Sequence, residues 1–154
     1  MARANSISPP EGATRSTLRH RVAFYETDAM GIVHHANYVR FLELVRVAWM
    51  DEHDRPYRAY VEEGLHFATT RVELDYLRSA AFDDVLEIAT WLEWVRGASL
   101  SMGYEVRRDD ALLVVGSSEH AMVDLEGRPR RIPRERRELL AKRARSAADA
   151  AAGR

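Results

Sequence analysis

Between Tyr25 and Trp49 the chain reads YETDAMGIVHHANYVRFLELVRVAW, with Asp28 in a short polar loop and Gly31, His34 and His35 just behind it. A loop carboxylate of this kind can activate water as a general base or attack a carbonyl itself, and the residues leave both routes open. Gly31 lets the backbone turn tightly and approach a ligand closely. The apolar segment that follows reads as a helix, and a helix start offers free N–H groups and partial positive charge to a developing oxyanion. Loop and helix together form a candidate active site.

Each of these residues also has a plainer reading. An isolated loop aspartate is a good turn former. His34 and His35 are adjacent, and adjacent side chains rarely converge on one ion; with no His-x-x-x-His spacing or nearby carboxylate set, neither a metal nor a cofactor is expected. Asn37 is read as the helix N-cap, and Tyr38 as packing the helix start or lining the pocket. Glu43 falls among apolar neighbours, so it either faces the pocket or is buried with a partner. Arg46, three residues on, is the expected partner. Thr69, Ser99 and Ser101 are polar residues that a neighbouring strand or subunit could bring to the site.

The elements that must position these residues follow from periodicity. Leu18, His20, Val22 and Phe24 alternate with Arg19 and Arg21, a strand pattern. Tyr38, Phe41, Leu42, Val45, Ala48 and Trp49 recur at helical spacing, widened by Val39, Leu44, Val47 and Met50, which predicts a helix buried on more than one side. Pro56 stops it, and Arg55 to Gly64 is a connection with room for a short helix. Four alternating runs follow, around Val72–Tyr76, Leu86–Trp94, Leu100–Val106 and Leu112–Val123. The breaks between them are short, which predicts antiparallel hairpins. Gly127 to Pro133 is a turn, and Arg134 to about Arg145 a basic helix. The fold class is therefore α+β, five antiparallel strands wrapped around one long helix. Apolar residues on both faces, with Trp91 and Val95 opposite Leu92 and Trp94, suggest an oligomer in which sheets pair.

Composition bounds the rest. The chain has 154 residues, 46% apolar and 31% charged, and no apolar run approaches the roughly 20 residues that span a bilayer. One domain is expected over 16–145, with disordered segments at 1–15 and 146–154. Cysteine is absent, which excludes a thiolate nucleophile, disulfides and cysteine zinc sites. No signal peptide is read at the start, and the cytoplasm is the expected location. Nine Lys or Arg against two Glu between Arg128 and Arg145 make a basic stretch. Nucleic-acid binding by that stretch is not expected; a solvated helix or a phosphate contact is.

The run YETDAMGIVHHANYVRFLELVR resembles the signature of the hotdog-fold acyl-CoA thioesterases of the 4-hydroxybenzoyl-CoA thioesterase type, a branch that includes the small bacterial thioesterases associated with the Tol-Pal system. The resemblance rests on Tyr25, Thr27-Asp28, Gly31-Ile32-Val33, His34-His35, Asn37-Tyr38, Glu43 and Arg46, and covers about Leu18 to Leu140. It implies hydrolysis of a small or medium acyl-CoA, aliphatic or aromatic, or of an acyl-carrier thioester, in a homodimer or homotetramer with the site at a subunit interface. The family aspartate maps onto Asp28 and the oxyanion donor onto the backbone N–H of His35, its side chain being secondary. Tyr25, Gly31, Ile32, Val33, Asn37, Tyr38 and Glu43 become candidates for substrate contact. Arg128, Arg130 and Arg131, in the GRPRRIP stretch, are candidates for the nucleotide end of coenzyme A, since guanidinium forks suit phosphate. A hotdog hydratase or dehydratase, or a non-catalytic acyl-thioester-binding protein, are the competing functions.

Overall fold

The computed structural model describes Pro9 and residues 12–144; the expected terminal segments lie largely outside these residues. Five strands form one antiparallel sheet: β1 (Arg15–Arg21), β2 (His66–Tyr76), β3 (Val85–Val95), β4 (Ser99–Arg108) and β5 (Ala111–Val123). Three helices accompany them, α1 (His35–His53), α2 (Tyr57–Glu62) and α3 (Arg134–Ala144). The expected α+β architecture, a sheet around one long helix, is the one observed.

The spatial order is β1-β3-β4-β5-β2. This corrects one expectation. The break after Tyr76 is short, yet β2 and β3 are not a hairpin: β2 pairs with β5, and β3 lies between β1 and β4. The connector 77–84 crosses over instead. It is stitched at one end by the Leu77 and Arg78 N–H groups to Leu113 O (2.8 and 3.1 Å) and later by the Val33 N–H to Ala80 O (2.8 Å). A bridge between Ile32 and Ala81 completes the seam. The crossover thus ties the Asp28 loop to the end of β2.

The core forms where α1 lies against the inner face of the sheet. Tyr38, Phe41, Leu42, Val45, Trp49 and Met50 are the buried stripe of α1. They meet Leu86, Ile88 and Leu92 of β3, Leu100, Met102 and Val106 of β4, and Met122 of β5. Leu140 of α3 and Ile132 join the same core. The helix is not buried all round: Val39 is 43% exposed and Leu44 54%. The hydrophobic pattern widened the stripe beyond what one sheet can cover. On the outer face Trp91, one of the apolar residues taken to suggest pairing of sheets, is buried within the single chain, its indole lying over Gly103, where a Cβ would stand 2.6 Å from the ring.

A chain of polar side chains runs through this core. Arg46 Nη1 donates to Tyr104 Oη (3.1 Å), Tyr104 Oη lies 2.6 Å from Ser118 Oγ, Ser118 Oγ lies 2.6 Å from His120 Nε2, and His120 Nδ1 lies 3.2 Å from Thr69 Oγ1. The expected Glu43–Arg46 pair is therefore not formed; Arg46 turns inward to Tyr104, and Glu43 stays exposed. Burial, aided by the Arg46 charge, pushes the His120 imidazole down to about 3.

Two measurements test this packing. At Gly116 a Cβ would stand 2.2 Å from the Glu73 carbonyl oxygen of the paired strand, a backbone atom that cannot step aside. Gly116→Ala is expected to cost about 2–3 kcal/mol in urea unfolding; an unchanged midpoint would refute the fit. His120 is neutral when folded but takes a proton near 6.5 when unfolded, so the unfolded chain binds the extra proton as pH falls. Stability from this group is present above about 6.5 and is lost on descending towards about 3, at up to roughly 1.4 kcal/mol per pH unit. His120→Gln should flatten that slope; an identical slope in wild type and variant would show that His120 does not set it.

Candidate active site

The Asp28 loop is built by local hydrogen bonds. Asp28 Oδ1 accepts from the Met30 N–H at 2.9 Å, an Asx turn, and Asp28 O accepts from the Gly31 N–H at 2.9 Å. Gly31 sits at φ +76°, in the left-handed region where a side chain would be strained, and this reverses the chain so that Ile32 O can accept from the Asp28 N–H (2.9 Å). Asp28 Oδ2 has no partner among the described residues.

The helix starts earlier than the sequence suggests. His34, not Asn37, is the N-cap: its backbone is extended and its Nδ1 accepts from the Ala36 N–H at 3.1 Å. Asn37 is turned the other way, its Nδ2 donating to Glu26 O at 2.7 Å. Asparagine is a good cap in general, but here its amide is committed to the preceding loop, and an imidazole nitrogen caps instead. The His35 N–H therefore opens the helix, and among the described residues it donates to nothing.

Glu26 holds the two halves together. Its carboxylate accepts from His20 Nε2 (2.8 Å) and from the Ala23 N–H (2.8 Å). Its carbonyl oxygen accepts from the His34 N–H (2.9 Å) as well as from Asn37. The side chain is nearly buried, as a multiply bonded carboxylate can be. No motif singles out Glu26; its only signal is its place beside Thr27-Asp28.

Asp28 and His35 line one cavity of about 260 Å³. Met30, Ile32, Val33 and Tyr38 form its near wall, and Tyr76 at the end of β2 with the crossover residues Leu77, Arg78 and Ser79 its far wall. Tyr76 Oη donates to His35 O at 2.9 Å, and its ring stands edge-on to His35 and Tyr38 at 6.4 and 5.6 Å. Burial raises both the Tyr76 and the Tyr38 hydroxyl pKa, so both stay protonated donors at neutral pH. The His35 ring stacks on His34 at 4.2 Å. In the sequence Tyr76 is only the last residue of an alternating run and Ser79 part of the break after it; no local pattern marks a wall supplied about 40 residues downstream.

Of the sequence candidates, Asp28, Ile32, Val33, His35 and Tyr38 are brought together, and Gly31 shapes their loop. Others are not. Tyr25 is 80% exposed and outside the cavity, because the short 3-10 turn Phe24–Glu26 points it outward. Asn37 serves the loop rather than the cavity. Glu43 lines a separate pocket with Arg46 and Thr69. Arg128, Arg130 and Arg131 lie at the opposite end of the sheet. The cavity end of β2 pairs Tyr76 with Val114, whereas Pro129 bridges Val123, roughly 30 Å away at about 3.3 Å per strand residue. Arg130 is also neutralised by Asp124 at 2.8 Å.

The chain's relatives fit this arrangement. The thioesterase-like superfamily profile matches residues 22–144. The chain is 34% identical over 116 residues to the acyl-CoA thioester hydrolase YbgC of Escherichia coli, covering 74% of this chain and 87% of that one. It superposes on a hypothetical protein of Thermus thermophilus with a TM-score of 0.79 at 32% identity, covering 84% and 97%. A protein described as a probable thioesterase of Bartonella henselae gives 0.71 at 29%, covering 78% and 100%. With the profile spanning β2 to β5, the crossover and the Asp28 loop alike, the chain belongs to the thioesterase-like superfamily and has its hotdog fold.

Proposed function

We propose that this protein hydrolyses acyl-CoA thioesters, with Asp28 as base or nucleophile and the His35 N–H as the oxyanion donor. One observation carries the reading: a carboxylate with one oxygen held by an Asx turn and the other without a partner shares a cavity with the first N–H of α1. The acyl carbonyl would sit with its oxygen towards the helix start, where the N–H and the helix dipole favour the developing negative charge. Asp28 then takes a proton from water as that water attacks, or attacks to give an anhydride that water opens; coenzyme A leaves as the thiol. The Tyr76 hydroxyl, bonded to His35 O, holds the peptide that follows the donor in place. A cavity of about 260 Å³ suits a small or medium acyl group, aliphatic or aromatic.

Self-association belongs to the same reading. β2 is an edge strand of 11 residues with Val72 and Tyr76 partly exposed, and α1 beside it leaves Val39 and Leu44 open. An unpaired edge next to exposed apolar side chains favours a second copy, as a dimer or a pair of dimers. No helix among the described residues is long and apolar enough to cross a membrane.

Asp28→Asn is expected to lower thiol release from short and aromatic acyl-CoAs by about 10²- to 10⁴-fold, with an unchanged circular dichroism spectrum. Activity like that of the wild type would remove Asp28 from the mechanism. Hydration of 2-enoyl-CoA without release of free thiol would instead identify a hydratase. Val72→Lys, on the β2 edge, should shift the mass seen by light scattering towards a single chain; an unchanged mass would place the interface elsewhere.

A further inference from the structure

The polar chain in the core has both ends at one pocket. Arg46 and Thr69, its first and last members, line a second cavity of about 160 Å³ together with Glu43, Tyr57 and the apolar Met50 and Phe67. The three inner members, Tyr104, Ser118 and His120, are 0–1% exposed. Buried polar groups are costly unless every donor is satisfied, and here that condition fixes where each proton lies.

Arginine can only donate, so Tyr104 Oη accepts from Arg46 and must give its own proton to Ser118. Ser118 then gives its proton to His120 Nε2. Neutral His120 carries its remaining proton on Nδ1 and donates it to Thr69 Oγ1. The reverse direction would leave the Tyr104 proton buried with no acceptor. The depressed His120 pKa agrees with a neutral ring. The Thr69 hydroxyl proton is left over, and it lies at the pocket.

The same accounting applies around the pocket rim. Tyr57 Oη accepts from the Phe67 N–H at 3.2 Å, which leaves its own proton free. Arg46 makes no ion pair among the described residues, and its other N–H groups are unused there. Arg46, Thr69 and Tyr57 thus present donors to one space walled by Met50 and Phe67, with the exposed Glu43 as the single carboxylate.

We propose that this pocket seats a hydroxyl or carbonyl oxygen carried distally on the acyl group, making the enzyme selective for oxygenated acyl chains. The inference rests on the thioesterase reading above. Residues of α1 line both cavities, His35 the first and Arg46 the second, about 16 Å apart along its axis. Helical side chains lean towards the N-terminus, so Arg46 reaches back towards the Asp28 cavity. At roughly 1.2 Å of extended reach per bond, the span corresponds to a chain of about 8 to 12 carbons.

The test compares CoA thioesters of plain fatty acids with hydroxy- and keto-substituted ones of matched length across that range. Wild type should show a kcat/KM about tenfold or more higher for the oxygenated member at the fitting length. Thr69→Val should lower kcat/KM for the oxygenated substrate about tenfold more than for the plain one, and Thr69→Ser should restore the preference. A ratio near one at every length, or a ratio that Thr69→Val leaves intact, overturns the proposal. If wild type releases no thiol from any substrate, the thioesterase reading fails separately. The pocket is then read by histidine-labelled NMR with free decanoate and hydroxydecanoate as probes. A shift of the His120 Nδ1–H resonance with the hydroxylated acid alone supports the oxygen site, and no difference between the two acids overturns it.

Discussion

The geometry of the site depends on the carbonyl and carboxylate of one residue, Glu26. The carbonyl fixes where α1 begins, through the His34 N–H and the Asn37 amide. The carboxylate ties the same residue to β1 through His20 and to the preceding loop through the Ala23 N–H. Asp28 follows Glu26 by two residues, and the His35 N–H follows directly on the His34 N–H that Glu26 O holds. Their separation is therefore set by hydrogen bonds of 2.7 to 2.9 Å rather than by the length of a mobile loop. Catalysis that relies on a placed donor and a placed carboxylate needs such rigidity, because the donor helps only where the charge develops.

The crossover between β2 and β3 supplies the other half. By leaving the sheet at Tyr76 and re-entering at Val85 with β5 and β4 in between, the chain lays residues 77–84 beneath the Asp28 loop. That route closes the cavity and leaves β2 as a long free edge. Closure and exposed edge are thus consequences of one topological choice. The exposed Val39 and Leu44 on α1 fit the same picture, since the single chain has too little sheet to cover the whole apolar circumference of its helix.

Periodicity carried far in this sequence. The four later alternating runs are strands, the first is one only as far as Arg21 with Phe24 in a 3-10 turn, the apolar stripe from Tyr38 to Met50 is the buried face of α1, and the basic stretch from Arg134 is a helix. These are local properties, decided by which face of an element is apolar. Which strands are neighbours was not local. The short break after Tyr76 looks like a hairpin, and only the competition between β3 and β5 for partners shows otherwise. Asn37 failed as a cap for a similar reason. Its propensity is real, but a carbonyl eleven residues earlier in the chain claimed its amide.

What the sequence determined by itself was the set of chemical parts: a carboxylate, a permissive glycine and a helix start, in an order and spacing that mark a family. Those parts lie within 11 residues, Asp28 to Tyr38, so local geometry nearly suffices to assemble them. Tertiary structure alone decided what surrounds them. It brought Tyr76 onto His35, sent Arg128, Arg130 and Arg131 to the far end of the sheet, and separated Glu43 from Asp28 while joining Arg46 to His120 through the core. Walls and polar networks are made by residues distant in sequence, and the cost of leaving a buried donor unpaired selects them only once the chain is folded.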